Sequence, residues 1–128
     1  MNDPDDPFVW VEYAEQDFVA ARSLLRRKKP LVSIACFHAQ QCAEKYLKSL
    51  LIARKRDFPK THDLQKLSDL CSSEGILIPI DADLLDSLSY FAAQTRCPGD
   101  ILTMEDAQES FKIARIVRRF ARKFLGLR

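Results

Sequence analysis

The chain has 128 residues, 47% of them hydrophobic and 30% charged, with 20 Lys and Arg against 18 Asp and Glu for a formal net charge of +2. A length of this order favours a single domain around one core, and residues 1–128 read as one unit with its ordered part at about 8–125. The composition excludes a disordered segment, and apolar runs repeatedly broken by charge exclude a membrane-spanning helix.

The opening MNDPDDP is acidic where a secretory leader is basic and then apolar, so a cytoplasmic, reducing location is expected. Helix one is expected from near Phe8, with Trp10, Ala14, Phe18, Ala21 and Leu25 as its apolar stripe. Its acids, Glu12 and Glu15, precede a basic end at Arg26, Arg27, Lys28 and Lys29, which complements the helix dipole. Asp17 falls beside the packed stripe, where it reads either as a rim carboxylate or as a site carboxylate facing the next helix. Pro30 ends helix one and turns the chain back into an antiparallel hairpin.

The stretch from Leu31 to Arg56 holds the longest helical pattern free of proline and glycine, and is expected to be the central helix. Ala35, Ala39, Cys42, Tyr46 and Leu50 stack on one side at three- and four-residue steps. A second strip, Phe37, Leu47 and Leu51, is interrupted by Gln40 and Glu44, and His38, Gln41, Lys45 and Lys48 form a polar face beside it. These polar groups are either the flank of an amphipathic helix or the lining of a site.

Pro59 and the cap residue Thr61 place a short third helix at about His62 to Ser73, with Leu64, Leu67 and Leu70 inward and Gly75 beyond its end. The segment ILIPI carries Pro79 and reads as an apolar linker. A fourth helix is expected from Asp81 to about Thr95, packing Leu84, Leu85, Leu88 and Phe91. Its acids Asp81, Asp83 and Asp86 suit a helix start better than a metal site, because they meet unpaired N–H groups at the positive dipole end. The last helix runs from about Thr103 to Leu125 on Ala107, Phe111, Ala114, Val117, Ala121 and Phe124, and Gly126 follows it. Every proline and glycine lies outside a helix interior, which supports an all-α fold: an up-and-down four-helix bundle with an additional short helix.

The candidates for chemistry are few. Cys36, Cys42, Cys71 and Cys97 form no CxxC pair and stand with only two histidines, so no metal and no cofactor are expected and the thiols read as buried and apolar. Glycine-rich phosphate loops, dinucleotide fingerprints and nucleophile elbows are absent from the sequence. His38 and His62 are the side chains suited to proton transfer near neutrality. Helix five is basic, with Lys112, Arg115, Arg118, Arg119, Arg122 and Lys123 and no acid after Glu109, which suits either a solvated face or contact with nucleic-acid phosphates.

The segments AEQDFVAARSLL, ACFHAQQCAEKYLKSLL, FPKTHDLQKL and TRCPGD, spread over residues 8 to 125, resemble the HEPN family, the higher-eukaryote and prokaryote nucleotide-binding domain. FHAQQCAEKYLK followed by FPKTHDL is the most specific part. The resemblance implies a helical homodimer, often encoded beside a small nucleotidyltransferase in a two-gene, toxin–antitoxin-like system. Many members are metal-independent RNases whose motif is an arginine followed after four to six residues by histidine. Here Arg96 stands in the right region, but Ile101, Leu102 and Thr103 occupy the positions for the histidine. Arg56 and His62 show the spacing in the loop after the central helix, outside the motif's place.

The reading that results is a non-catalytic nucleotide- or partner-binding protein, with Asp17, Gln41, Lys45, His62 and Arg96 lining a polar groove. The alternative is an RNase in which His62, or His38 across a dimer, supplies the missing group with Arg96. A second alternative is a structural interaction protein that takes no small ligand.

Overall fold

A computed structural model describes residues 3–93 and 102–128 of the chain. Within them lie five helices and no strand: α1 (Pro7–Leu25), α2 (Val32–Ala53), α3 (Leu64–Ser73), α4 (Ala82–Ala93) and α5 (Met104–Phe124). The expected all-α bundle is what forms. α2 is its axis and packs against each of the other four helices.

Local chemistry sets the boundaries. Asp6 caps α1 by accepting a hydrogen bond from the Phe8 N–H, and Pro7 takes a first-turn position that needs no donor. Val11 rather than Trp10 joins Ala14, Phe18 and Ala21 in the buried stripe; the Trp10 indole N–H donates to the Pro4 carbonyl at 2.8 Å, so the ring packs with its polar edge outward. α5 begins with a reciprocal capping box between Thr103 and Asp106.

α3 starts later than its sequence suggests. Its cap is Asp63, which accepts from the Lys66 N–H, whereas Thr61 accepts from the Asp63 N–H and shapes the turn before it. His62 is therefore a loop residue, free to point away from the helix.

α2 ends in an unusual way. The Arg56 N–H bonds the Leu51 carbonyl and the Lys55 N–H bonds the Ile52 carbonyl, both at 2.9 Å, which closes a Schellman turn. That turn needs a left-handed residue, and Lys55 supplies it at φ 56°, where glycine is the relaxed choice.

Tyr46, Leu47, Leu50 and Leu51 of α2 are fully buried, and Leu64, Leu67, Leu85, Leu88, Ile113 and Val117 close around them. Each such leucine removed from water contributes on the order of 2 kcal/mol. Trp10 lies near Lys48 and Asp17 near Lys45, so α1 and α2 run antiparallel. α3 lies against α2 and α4 at the margin of the bundle.

Candidate functional site

The apolar packing of α2 is broken by polar side chains that are nevertheless buried: Gln40, Glu44, Lys48 and Ser49. A buried charge is tolerable only when paired and hydrogen-bonded, so the partners of these groups define the site.

Glu44, 4% exposed, is satisfied on both oxygens. Lys48 Nζ donates to one at 3.0 Å, and His62 Nδ1 lies 2.8 Å from the other. Lys48 also sits over the rings of Trp10 and Phe58, at 5.8 and 5.7 Å from their centroids, so its charge is held by a carboxylate and two aromatic faces. His62 differs, because its side chain is 85% exposed. In the neutral tautomer that donates from Nδ1 to the carboxylate, Nε2 is the ring atom left to accept from a ligand.

Gln40 anchors the loop that presents this imidazole. Its Nε2 donates to the His62 carbonyl at 3.0 Å, and its Oε1 accepts from the Ser89 hydroxyl at 3.2 Å. α2, the His62 loop and α4 are thereby tied around an open cleft of about 430 Å³, lined by Phe37, Gln40, Gln41, Glu44, His62 and Ser89, with Ala92 and Ala93 as the small residues of its far wall. Gln41 is the polar lining residue whose amide has no hydrogen-bond partner among the described residues.

A second cluster lies around the helix from the first. Asp17, 7% exposed, takes His38 Nδ1 at 2.8 Å and Lys45 Nζ at 2.5 Å. Both partners belong to α2, so this carboxylate fastens α1 to the central helix. A third cluster fastens α5. Arg118 donates to both oxygens of Glu15, at 2.5 and 3.1 Å, while the Tyr46 hydroxyl donates to one of them and Arg122 lies 3.6 Å away.

Burial pushes the Glu15 carboxyl up, but the hydrogen bonds from Arg118 and Tyr46 and the nearby guanidinium charges outweigh it and hold the group below its ordinary value. Tyr46 moves the other way, raised by burial and by donating to Glu15. Burial likewise raises the thiols of Cys36 and Cys42 and pushes Cys71 up to about 12, so these cysteines stay protonated and unreactive.

The expected groove is thus divided. Gln41 and His62 line one cleft, whereas Asp17 and Lys45 are joined to each other and to His38 in the neighbouring cluster. Arg96 lies outside the described residues. Phe37, Gln40, Glu44 and Ser89 complete the lining without having been singled out as a site. Phe37 belongs in sequence to the second apolar strip of α2, and Gln40 and Glu44 are its interruptions; Ser89 had a signal too, a hydroxyl four residues after Leu85 on the packed face of α4. Among the described residues no group of three or more His, Cys, Asp or Glu side chains is arranged to hold a metal ion. No helix among the described residues is long and apolar enough to cross a membrane.

A helical bundle with a polar cleft along its central helix is the class that fold and site define. The chain belongs to the HEPN domain family, whose model matches residues 9–124. It is similar to ST0689, an archaeal HEPN homologue, at 26% identity over 91% of this chain and 95% of that one, with a TM-score of 0.64. It is also similar to TT1696 from Thermus thermophilus, at 26% identity over 96% of this chain and 98% of that one, with a TM-score of 0.70. No curated protein matches it.

Proposed function

We propose that the chain is a non-catalytic HEPN module that binds a nucleotide in the cleft between α2 and α4, and that acts as a cytoplasmic homodimer beside a small nucleotidyltransferase in a two-gene, toxin–antitoxin-like system. The observation that carries the binding reading is Gln41: an amide without a partner among the described residues, lining a cleft in which Gln40, Glu44 and Ser89 are already engaged. An amide offers a donor and an acceptor side by side, which matches the edge of a base. Phe37 supplies an aromatic wall against which a base can stack, and His62 Nε2 stands ready for a ribose hydroxyl or a phosphate oxygen. Lys45 is held by Asp17, so the phosphate's cation is assigned to Arg96, three positions after the cleft residue Ala93 in sequence. Family membership supports the dimer and the nucleotidyltransferase partner.

Calorimetry with AMP and ATP tests the reading. Wild type releases heat on binding, and Gln41→Ala weakens affinity about tenfold, the value of one good hydrogen bond to a base. No heat in wild type, or the same affinity in the variant, removes the nucleotide claim.

One observation favours a second reading. A histidine held by a buried carboxylate at Nδ1, with Nε2 left to accept, is the arrangement of a general base, so His62 is the residue on which RNase activity would turn. RNA incubated with the protein in chelator remains intact if the module is non-catalytic. Cleavage that stops in His62→Ala would replace the first reading with this one.

A further inference from the structure

The six cations of α5 fall into two sets. Arg118 and Arg122 turn toward α1 and are neutralised by Glu15. Lys112, Arg115, Arg119 and Lys123 are exposed, and none of the four has a carboxylate within ion-pair distance among the described residues. Steps of three, four and four residues put them in one line on the side of the helix opposite its buried stripe of Ala107, Ala114, Val117 and Ala121. The line is about 16 Å long at the rise of an α-helix.

Complementing the helix dipole accounts for Lys123 in the last turn, but that effect fades within a turn and does not reach Lys112 or Arg115. Aromatic rings accompany the line. Arg115 lies 5.6 Å from the Phe111 ring, and Phe111 stacks on Phe18 at 5.0 Å. At the other end Phe124, about 100° round the helix from Lys123 on the side toward α2, is 39% exposed, stacked with Phe120 at 6.4 Å and covered on one side by Arg54 of α2 at 5.3 Å. A partly exposed ring flanking cations that have no carboxylate partner among the described residues offers a stacking surface beside a phosphate track, the combination that single-stranded nucleic acid uses.

We infer that the outer face of α5 is a track for single-stranded nucleic acid: Lys112, Arg115, Arg119 and Lys123 follow the backbone, and the Phe124–Arg54 pair, round the helix from Lys123 at its C-terminal end, receives an unstacked base. The track is independent of the nucleotide reading of the cleft. A duplex fits it poorly, because its bases are already stacked and do not reach Phe124. An acidic peptide would satisfy the cations but leave the ring without a matching group.

Fluorescence anisotropy with a labelled 12-nucleotide single-stranded RNA, its DNA counterpart and the corresponding duplex decides the matter, with polyglutamate as competitor. Four phosphate contacts predict an affinity that falls about 50-fold between 50 and 200 mM salt for the single strands. Replacing Lys112, Arg115, Arg119 and Lys123 together by Gln flattens that dependence, and Phe124→Ala weakens binding about tenfold while leaving its slope unchanged. Arg119→Glu serves as the charge test should the fourfold variant fail to fold by circular dichroism. The proposal is overturned by salt-insensitive or absent binding, by charge variants that bind as wild type does, by a duplex that binds as tightly, or by displacement with polyglutamate at equal charge. Mononucleotide heats in the cleft are measured separately, so either site can fail alone.

Discussion

The Asp17 and Glu44 clusters contain the same three kinds of group: a buried carboxylate, a histidine held through Nδ1 and a lysine ammonium. They differ in what remains unsatisfied. Around Asp17, His38 and Lys45 keep 29% and 26% side-chain exposure, and their polar atoms serve to join α1 to α2. Around Glu44 the asymmetry is extreme, since Lys48 is 9% exposed beneath Trp10 and Phe58 whereas His62 is 85% exposed at a cleft. The first cluster closes a seam. The second puts one charge inward as an anchor and holds one imidazole at the cleft, and that difference supports the ligand site proposed there.

Mutation separates the two. Glu44→Ala strands Lys48 buried against two aromatic rings and is expected to cost about 4 kcal/mol in urea unfolding, the range for breaking a buried pair. The double variant Glu44→Leu with Lys48→Met loses less than that single change, because no uncompensated charge remains. Asp17→Ala costs about 2 kcal/mol, since Lys45 and His38 can turn to water. Equal losses at the two carboxylates would erase the distinction drawn between them.

The Glu15 cluster extends the series toward solvent. Its carboxylate is 28% exposed, so Glu15→Gln is expected to cost about 1 kcal/mol at neutral pH. Glu15 titrates lower in the fold than its ordinary 4.5, so its contribution is complete above that pH and disappears as pH falls through the lowered native value. Wild type and Glu15→Gln should therefore converge in stability in acid, as followed by thermal melting at stepped pH. The smallest effect has the opposite sign: Lys55→Gly relieves the left-handed backbone at φ 56°, offset in part by the greater chain entropy of glycine, and is expected to stabilise by roughly 0.5 kcal/mol.

Much of the bundle was legible because its helices carry clean apolar periods and its prolines and glycines stand between them. The cap of α3 was misplaced by two residues: Thr61 and Asp63 are both capable acceptors, and only the chain's path decides which meets the free N–H groups. The site was harder. Gln40, Glu44 and Lys48 repeat at four-residue steps, which shows a polar stripe but not its burial. Trp10, Phe58 and His62 reach that stripe from α1 and the loop after α2, and Ser89 from α4, contacts that no local pattern encodes. For the same reason the basic run of α5 did not reveal that Glu15 takes Arg118 and Arg122 and leaves the outer four cations without a carboxylate partner among the described residues.

The central claim is that Gln41 and the imidazole fixed by Glu44 face one ligand. Nitrogen-detected NMR of the Gln41 side-chain amide and the His62 ring during addition of AMP tests it most directly. Both signals should shift together along one saturating curve while His38, held against Asp17, stays in place. Shifts at His38 with none at Gln41 and His62, or no shifts at all, would contradict the account.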